Sequence, residues 1–157
     1  MRSVGGVALL GLLASACGSE DPAVDPNART AVLRFAITDD TRGRITDPPN
    51  GQVYGSVYLK EDVSLTGPRT GAAEQASDIN VAVDVRNAAT SEGSFRTPAF
   101  ELGTEYVFLG FFDVDGNGAT TRDPDAGDPV TLPITNVFTV NDAGETQVRV
   151  LFDLVFN

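Results

Sequence analysis

Apolar residues alternate with polar ones along much of this 157-residue chain after Thr30. An alternation with a period of two sends successive side chains to opposite faces of an extended strand, so one face of the strand can be buried. The clearest runs lie at residues 33–37, 53–59 and 79–85. Outside the first 16 residues no stretch has a convincing helical period. The pattern therefore predicts an all-β domain.

Further strands follow from less regular segments. Residues 106–112 (YVFLGFF) are apolar on both faces, which predicts a central strand. Residues 137–140 and 146–156 predict a last hairpin around the turn at 141–144. Its second strand is expected to carry five apolar side chains on one face: Val148, Val150, Phe152, Leu154 and Phe156.

Shorter strands are predicted near residues 63–65 and 94–100, and the polar segments 39–51 and 67–77 are predicted to be surface loops. Seven or eight short strands separated by Gly, Pro and Asp turns favour an antiparallel β-sandwich over residues 30–157. A small barrel is the alternative architecture.

The first 16 residues have the layout of an export signal. A cationic Met1-Arg2 precedes an apolar run, Val4 to Leu13, and small residues follow just before Cys17. The apolar run is shorter than the roughly 20 residues that a membrane-spanning helix needs. Residues 1–16 are therefore predicted to be a removable signal peptide.

Cys17 is the only cysteine, so no disulfide can form within the chain. The segment Leu13 to Cys17 (LASAC) resembles the lipobox of bacterial lipoproteins. That resemblance implies that the Cys17 thiol receives a lipid, that cleavage occurs just before it, and that the lipid anchors the protein in a membrane. Gly18-Ser19 lack the aspartate that retains some lipoproteins in the inner membrane, which implies the outer membrane. The alternative is an ordinary secreted protein.

Residues 17–29 are acidic, contain proline and carry few apolar side chains, so we expect a flexible tether between the lipid and the domain. The whole chain has 22 acidic and 11 basic residues and a net charge of −11. This balance argues against nucleic acid as a partner. It is compatible with cation binding, although solubility alone would account for it.

The sequence contains no histidine, and its one cysteine is the predicted lipidation site. Ser-His-Asp and Cys-His catalysis are therefore excluded, and no acidic pair sits in an obviously apolar setting. We expect a non-enzymatic protein.

The segment 113–129 is the strongest candidate for a functional site, because it is rich in side chains that can bind a metal ion. Its first six residues fit D-x-[DN]-x-[DN]-G, with Asp113, Asp115 and Asn117 at positions one, three and five. Side chains so spaced converge when the backbone curls around an ion, and calcium prefers hard oxygen ligands. An EF-hand is excluded, because Pro124 stands at position twelve and the preceding element is a strand.

The same segment resembles the calcium loops in the B-type repeats of Gram-positive surface adhesins, D-x-N-x-N-G-x-x-D-x-G-E-P. Asp125-Ala-Gly-Asp128-Pro matches the second half, with Asp128 for Glu and four extra residues between the halves. The resemblance implies a transthyretin-like, Greek-key (prealbumin-like) sandwich. It also implies a structural calcium ion held by five side chains: Asp113, Asp115, Asn117, Asp125 and Asp128. Asp123 is an alternative to Asp125.

Other interpretations stay open. The acidic segment can be a plain turn, since Asp, Asn and Gly tolerate turn conformations. Tyr54 and Tyr58 lie on one face of their strand and could mark a carbohydrate-binding module, although cross-strand pairing explains them equally well. The expected partner is another envelope protein or an extracellular polymer. A structural lipoprotein without a ligand is the remaining possibility.

Overall fold

The computed structural model describes residues 29–45, 51–83, 93–142 and 144–157. The predicted signal peptide, Cys17 and all of the predicted tether except Arg29 lie outside the described residues, as do the last two residues of the predicted strand 79–85. The described part is an all-β sandwich, as the alternation predicts.

Eleven strands are present in the described ranges. They are β1 (Thr30–Ile37), β2 (Gly51–Leu59), β3 (Val63–Ser64), β4 (Gly67–Pro68), β5 (Glu74–Val83), β6 (Ser94–Arg96), β7 (Tyr106–Asp113), β8 (Pro129–Val130), β9 (Val137–Phe138), β10 (Glu145–Phe152) and β11 (Leu154–Val155). Five of these strands, β3, β4, β8, β9 and β11, have only two residues each, and such short strands account for much of the excess over the seven or eight predicted.

The smaller sheet has the strand order β10-β1-β6, and the larger sheet has the order β11-β8-β7-β2-β5, with β9 also paired to β7. β3 and β4 form a separate small hairpin. The strand pairs are antiparallel apart from β1 and β10, which run parallel from Thr30↔Glu145 to Ile37↔Phe152. The apolar segment 106–112 lies at the centre of the larger sheet, which confirms that prediction.

The core lies between the two sheets. Phe35 of β1 contacts Phe108 of β7 with ring centroids 5.3 Å apart, and Phe152 of β10 lies 6.3 Å from Phe35. The alternating residues of β1 and β5 also reach the core, as predicted. Burying one such side chain contributes about 1.5–3 kcal/mol. Among the described residues, every member of the buried core lies between Ala31 and Phe152.

The predicted last hairpin is wrong. β9 pairs with β7, and β10 pairs with β1 in the other sheet. The predicted strand 146–156 also ends at Phe152, because the chain crosses to the larger sheet, where β11 pairs with β8. Alternation alone cannot reveal such a crossing, since the apolar period continues through it.

Two short helices stand where none was predicted. α1 (Asp39–Arg44) occupies the start of the predicted loop 39–51: the Thr38 hydroxyl accepts the N–H of Thr41, and Arg44 pairs with Asp40 at 2.8 Å. α2 (Gly118–Thr121) lies within the acidic segment, and a short 3₁₀ helix covers Lys60–Asp62. The predicted loop 67–77 is partly strand, because it contains β4 and the first residues of β5. Neither helix of the described residues has the length and hydropathy needed to span a bilayer.

Candidate functional site: the acidic loop and the outer groove

Residues 113–128, which we name the acidic loop, begin at a buried carboxylate. Asp113 ends β7 and is 2 % exposed. Its Oδ1 accepts the backbone N–H of Gly116 at 2.8 Å, and its Oδ2 accepts that of Gly118 at 3.0 Å. Asp113 therefore closes the first turn of the loop, because it satisfies two N–H groups that have no strand partner.

A second buried carboxylate closes the other end of the acidic loop. Asp128 is 1 % exposed. It accepts the N–H of Val114 at 3.0 Å through Oδ1 and that of Asp125 at 3.1 Å through Oδ2. Its backbone C=O accepts the N–H of Phe156 at 2.8 Å, so the loop is also tied to the end of the chain.

Charge repulsion acts at this second carboxylate. Burial raises the pKa of Asp128 above its ordinary value, and the charges of Asp125 and Asp113 raise it further. The N–H groups of Val114 and Asp125 partly offset this effect, since they favour the ionised form. The predicted ligands Asp113, Asp125 and Asp128 are thus electrostatically coupled in the fold.

The remaining predicted ligands meet around one amide group. The Nδ2 group of Asn117 donates to Asp115 Oδ2 at 2.9 Å and to Asp125 Oδ2 at 2.5 Å. Asp123, the alternative to Asp125, instead lies toward the groove described below. Of the two alternatives, the structure places Asp125 beside the other candidate ligands.

The chemistry of these residues suits calcium, because carboxylate and amide oxygens are its usual ligands. The arrangement is less complete. Within residues 29–45, 51–83, 93–142 and 144–157, no group of three or more His, Cys, Asp or Glu side chains is placed to hold a metal ion. Asn117 presents its donor nitrogen, not its oxygen, to the exposed carboxylate of Asp115 and the half-buried carboxylate of Asp125.

A concave surface, which we name the outer groove, lies beside the acidic loop on the face of the larger sheet that points away from the core. Its volume is about 840 Å³. Tyr54 and Phe111, which are partners across β2 and β7, meet there with ring centroids 5.5 Å apart. The groove is bordered by apolar side chains from four separate segments, Leu65, Leu109, Leu132, Leu154 and Phe156.

Both tyrosines singled out in the sequence line this groove, but Tyr54 is only 7 % exposed. Its position on the polar side of the strand therefore does not make it an exposed aromatic. The cross-strand contact with Phe111 accounts for the position of Tyr54, in agreement with the cross-strand interpretation of the sequence. Tyr58 donates its hydroxyl to Glu74 Oε1 at 2.9 Å, and burial together with Glu74 raises the pKa of Tyr58.

The acidic loop forms one wall of the outer groove. α2 packs closely against Phe111 on the floor of the groove: a Cβ atom added at Gly118 would lie only 2.9 Å from Cε2 of Phe111. Arg122 follows α2 and pairs with Asp78 of β5 at 2.6 Å, and Asp123 and Pro124 continue the wall. The shape of the groove therefore depends on the loop.

The sequence did not reveal the outer groove, although Leu154 and Phe156 were recognised as part of an apolar alternation. Three comparisons with known proteins gave no match: no protein-family model, no curated protein and no solved structure matches this chain. The acidic loop and the outer groove are therefore the two features of this chain whose chemistry bears on its function.

Proposed function

We propose that this chain is a non-enzymatic lipoprotein of the bacterial cell envelope. A lipid on Cys17 attaches it to a membrane, which we expect to be the outer membrane. The β-sandwich serves a structural or adhesive role toward another envelope protein or an extracellular polymer, and calcium bound in the acidic loop stabilises it. The observation that carries the calcium part is the burial of Asp113 and Asp128 in one loop.

Two buried carboxylates that repel each other are unfavourable unless a cation compensates them. The hydrogen bonds to Asp113 and Asp128 come from backbone N–H groups, which carry only partial positive charge. Each carboxylate oxygen keeps a second lone pair for a metal ion. Calcium would supply the full charge, with Asp115, Asn117 and Asp125 as the other candidate ligands.

Calcium binding would also order the wall of the outer groove, because α2 and Arg122 lie in the same loop. The ion is proposed as a structural element and not as a catalyst. Calcium sites of extracellular modules have dissociation constants of about 0.1–1 mM, and we expect this range.

Thermal unfolding in calcium and in chelator tests this proposal. The protein would be residues 17–157 with Cys17→Ser, which keeps every core residue of the described ranges. A ligand at about 100 times its dissociation constant stabilises the folded state by roughly 2.7 kcal/mol. We expect the midpoint to rise with calcium in the parent and not in the Asp115→Ala, Asp125→Ala double variant. The carboxylates of Asp115 and Asp125 accept hydrogen bonds from Asn117, and their removal leaves the buried Asp113 and Asp128 in place.

The matched control is Glu61→Ala, Asp142→Ala, which removes two exposed carboxylates elsewhere and should keep the calcium response. Identical curves in calcium and chelator would reject the calcium part and leave an acidic turn. Lipidation is tested separately: Cys17→Ser in the full chain should move the protein from the membrane fraction to the soluble fraction. If the distribution is unchanged, Cys17 is not the anchor.

A carbohydrate-binding module is the second candidate, because Tyr54 and Tyr58 line a concave surface. The chain has no tryptophan, and the ring of Tyr54 is covered, so few aromatic faces are available for stacking on a sugar. A glycan array with the soluble domain distinguishes the candidates. Signal that is lost in Tyr58→Ala would favour the carbohydrate interpretation.

A further inference from the structure

We propose that the outer groove docks a peptide segment of a partner protein in which apolar side chains alternate with Lys or Arg. This inference rests on the proposed binding role and specifies the chemistry of its partner. It depends on two properties of the groove, which are the clustering of exposed apolar side chains and the sign of the charge on the rim.

Exposed apolar side chains are concentrated at this groove. Five large hydrophobic residues are exposed among the described residues, and three of them, Leu65, Leu154 and Phe156, border it at 80 %, 39 % and 43 % exposure. These three come from distant parts of the sequence, so the fold brings them together. Single exposed apolar residues need no explanation, but a concave cluster with a polar rim is typical of an interaction site.

The rim of the groove is acidic. Glu74, Asp78 and Asp123 contribute three carboxylates, and Arg122 contributes one guanidinium group, which is held by Asp78. Tyr58 fixes Glu74 by donating its hydroxyl, so this carboxylate is already oriented before a ligand arrives. Complementary charge accelerates encounter and rejects partners of the wrong sign.

This charge selects among the possible occupants. A second copy of this chain has a net charge of −11 and would be repelled, as would an anionic lipid surface. The aliphatic walls formed by Leu65, Leu132 and Leu154 suit Leu-like or Val-like side chains better than sugar rings. A cationic peptide with apolar side chains satisfies both the floor and the rim.

The dimensions of the groove agree with such a ligand. A volume of about 840 Å³ lies within the range of roughly 300–1,000 Å³ that is typical of ligand sites. In an extended segment, alternate side chains point to opposite sides. One set would contact the floor at Leu109 and Phe111, and the other set would lie near Glu74 and Asp123 at the rim.

Three synthetic hexapeptides provide the probes: alternating Leu and Lys, alternating Leu and Glu, and alternating Ser and Lys. Fluorescence anisotropy would measure their binding to residues 17–157 with Cys17→Ser, in calcium and in chelator. We expect the Leu-Lys peptide to bind at least about tenfold more tightly than either of the others, and its affinity to fall with added salt.

Variants of exposed groove residues locate the binding. The double variant Leu154→Ser, Phe156→Ser should weaken binding of the Leu-Lys peptide about tenfold or more. If this variant does not fold, Leu65→Ser replaces it and should also weaken the binding. Ile134→Ser is the matched control, since Ile134 is 62 % exposed and lies outside the groove. Glu74→Gln, Asp123→Asn should abolish the preference for Lys over Glu, whereas Glu61→Gln should not.

The outcomes separate this inference from the function on which it rests. A Leu-Lys peptide that does not bind, or that binds the groove variants as well as the parent, overturns the inference. Equal binding of the Leu-Glu peptide, or glycan binding that Tyr58→Ala removes, overturns the peptide chemistry and leaves a binding role. A negative calcium result alone does not affect the inference, because the peptides are also tested in chelator.

Discussion

Asp78 and Arg122 lie 44 positions apart in the sequence, and their side chains pair at 2.6 Å on the rim of the outer groove. Both have a positive φ, 54° and 56°, and no other non-glycine residue of the described ranges does. Asp78 lies where the pairing of β5 with β2 shifts register, and Arg122 is the C-cap residue that follows α2. The pair thus links the edge strand of the larger sheet to the acidic loop.

The backbone at Arg122 should favour glycine. The left-handed conformation costs an L-residue roughly 1–2 kcal/mol, whereas an ion pair this exposed contributes at most about 1 kcal/mol. We expect Arg122→Gly to be at least as stable as the parent and Arg122→Ala to be about 1 kcal/mol less stable than Arg122→Gly. Urea unfolding measures both. Equal stability of the two variants would show that the φ of Arg122 carries no strain.

Gly110 should be intolerant of any side chain. A Cβ atom there would lie 2.7 Å from Cζ of Phe108 and would also overlap the C=O of Tyr54. Because overpacking a core costs about 1–3 kcal/mol, we expect Gly110→Ala to lower the unfolding free energy by roughly 2 kcal/mol. Gly43→Ala in α1 is the control, since nothing lies within 4 Å of its Cβ position. A neutral Gly110→Ala would contradict this packing.

Asn136 should be essential for joining the two sheets. It is 2 % exposed, accepts the N–H of Leu151 at 2.7 Å and donates to the C=O of Leu151 at 3.0 Å. Its own C=O accepts the N–H of Phe108 in the other sheet. Removing the side chain leaves backbone groups of β10 unsatisfied, at a cost of about 1–3 kcal/mol. Chemical unfolding of Asn136→Ala should show this loss, and exposed Asn141→Ala should not.

The raised pKa of Asp128 predicts a specific pH dependence in chelator. As the pH rises above the ordinary value of 3.8, the unfolded chain loses this proton before the folded protein does. The folded protein then binds more protons, so the contribution of Asp128 to the unfolding free energy falls through this window, until the pH passes the folded pKa. Below pH 3.8 this penalty is absent.

The comparison is between the parent and Asp128→Asn, measured by urea unfolding from about pH 3 to pH 7. We expect the stability of the parent relative to the variant to decrease as the pH rises. Calcium should reduce that decrease, because it favours the ionised carboxylate. A relative stability that increases with pH in chelator would contradict the raised pKa.

Local patterns carried several features of this fold. The period of two in residues 33–37 correctly predicted which side chains of β1 reach the core, and the doubly apolar segment 106–112 correctly predicted a central strand. α1 has a capping Thr38 and an Asp40–Arg44 pair, so its sequence held a helical signal. Six residues without an apolar stripe are too few for a period to be visible.

The candidate site was predictable only in part. The spacing from Asp113 to Asn117 indicated a loop that curls on itself, and Asp113 does close its first turn. That Asp128 is buried and coupled to Asp113 and Asp125 depends on the path of the chain between them. Calcium in this loop, the lipid on Cys17 and the peptide in the groove stay predictions for the experiments above.

The sequence by itself determined the β class and the face that most strands bury, because side-chain alternation is a local consequence of extended backbone. Only the tertiary structure decided which strands are neighbours: β10 pairs with β1 in parallel, β9 pairs with β7, and the chain changes sheets after Phe152. Alternation is the same whichever strand lies alongside. The outer groove depends on this long-range strand pairing, since Leu65 and Phe156 line the same surface only after the sheets have formed.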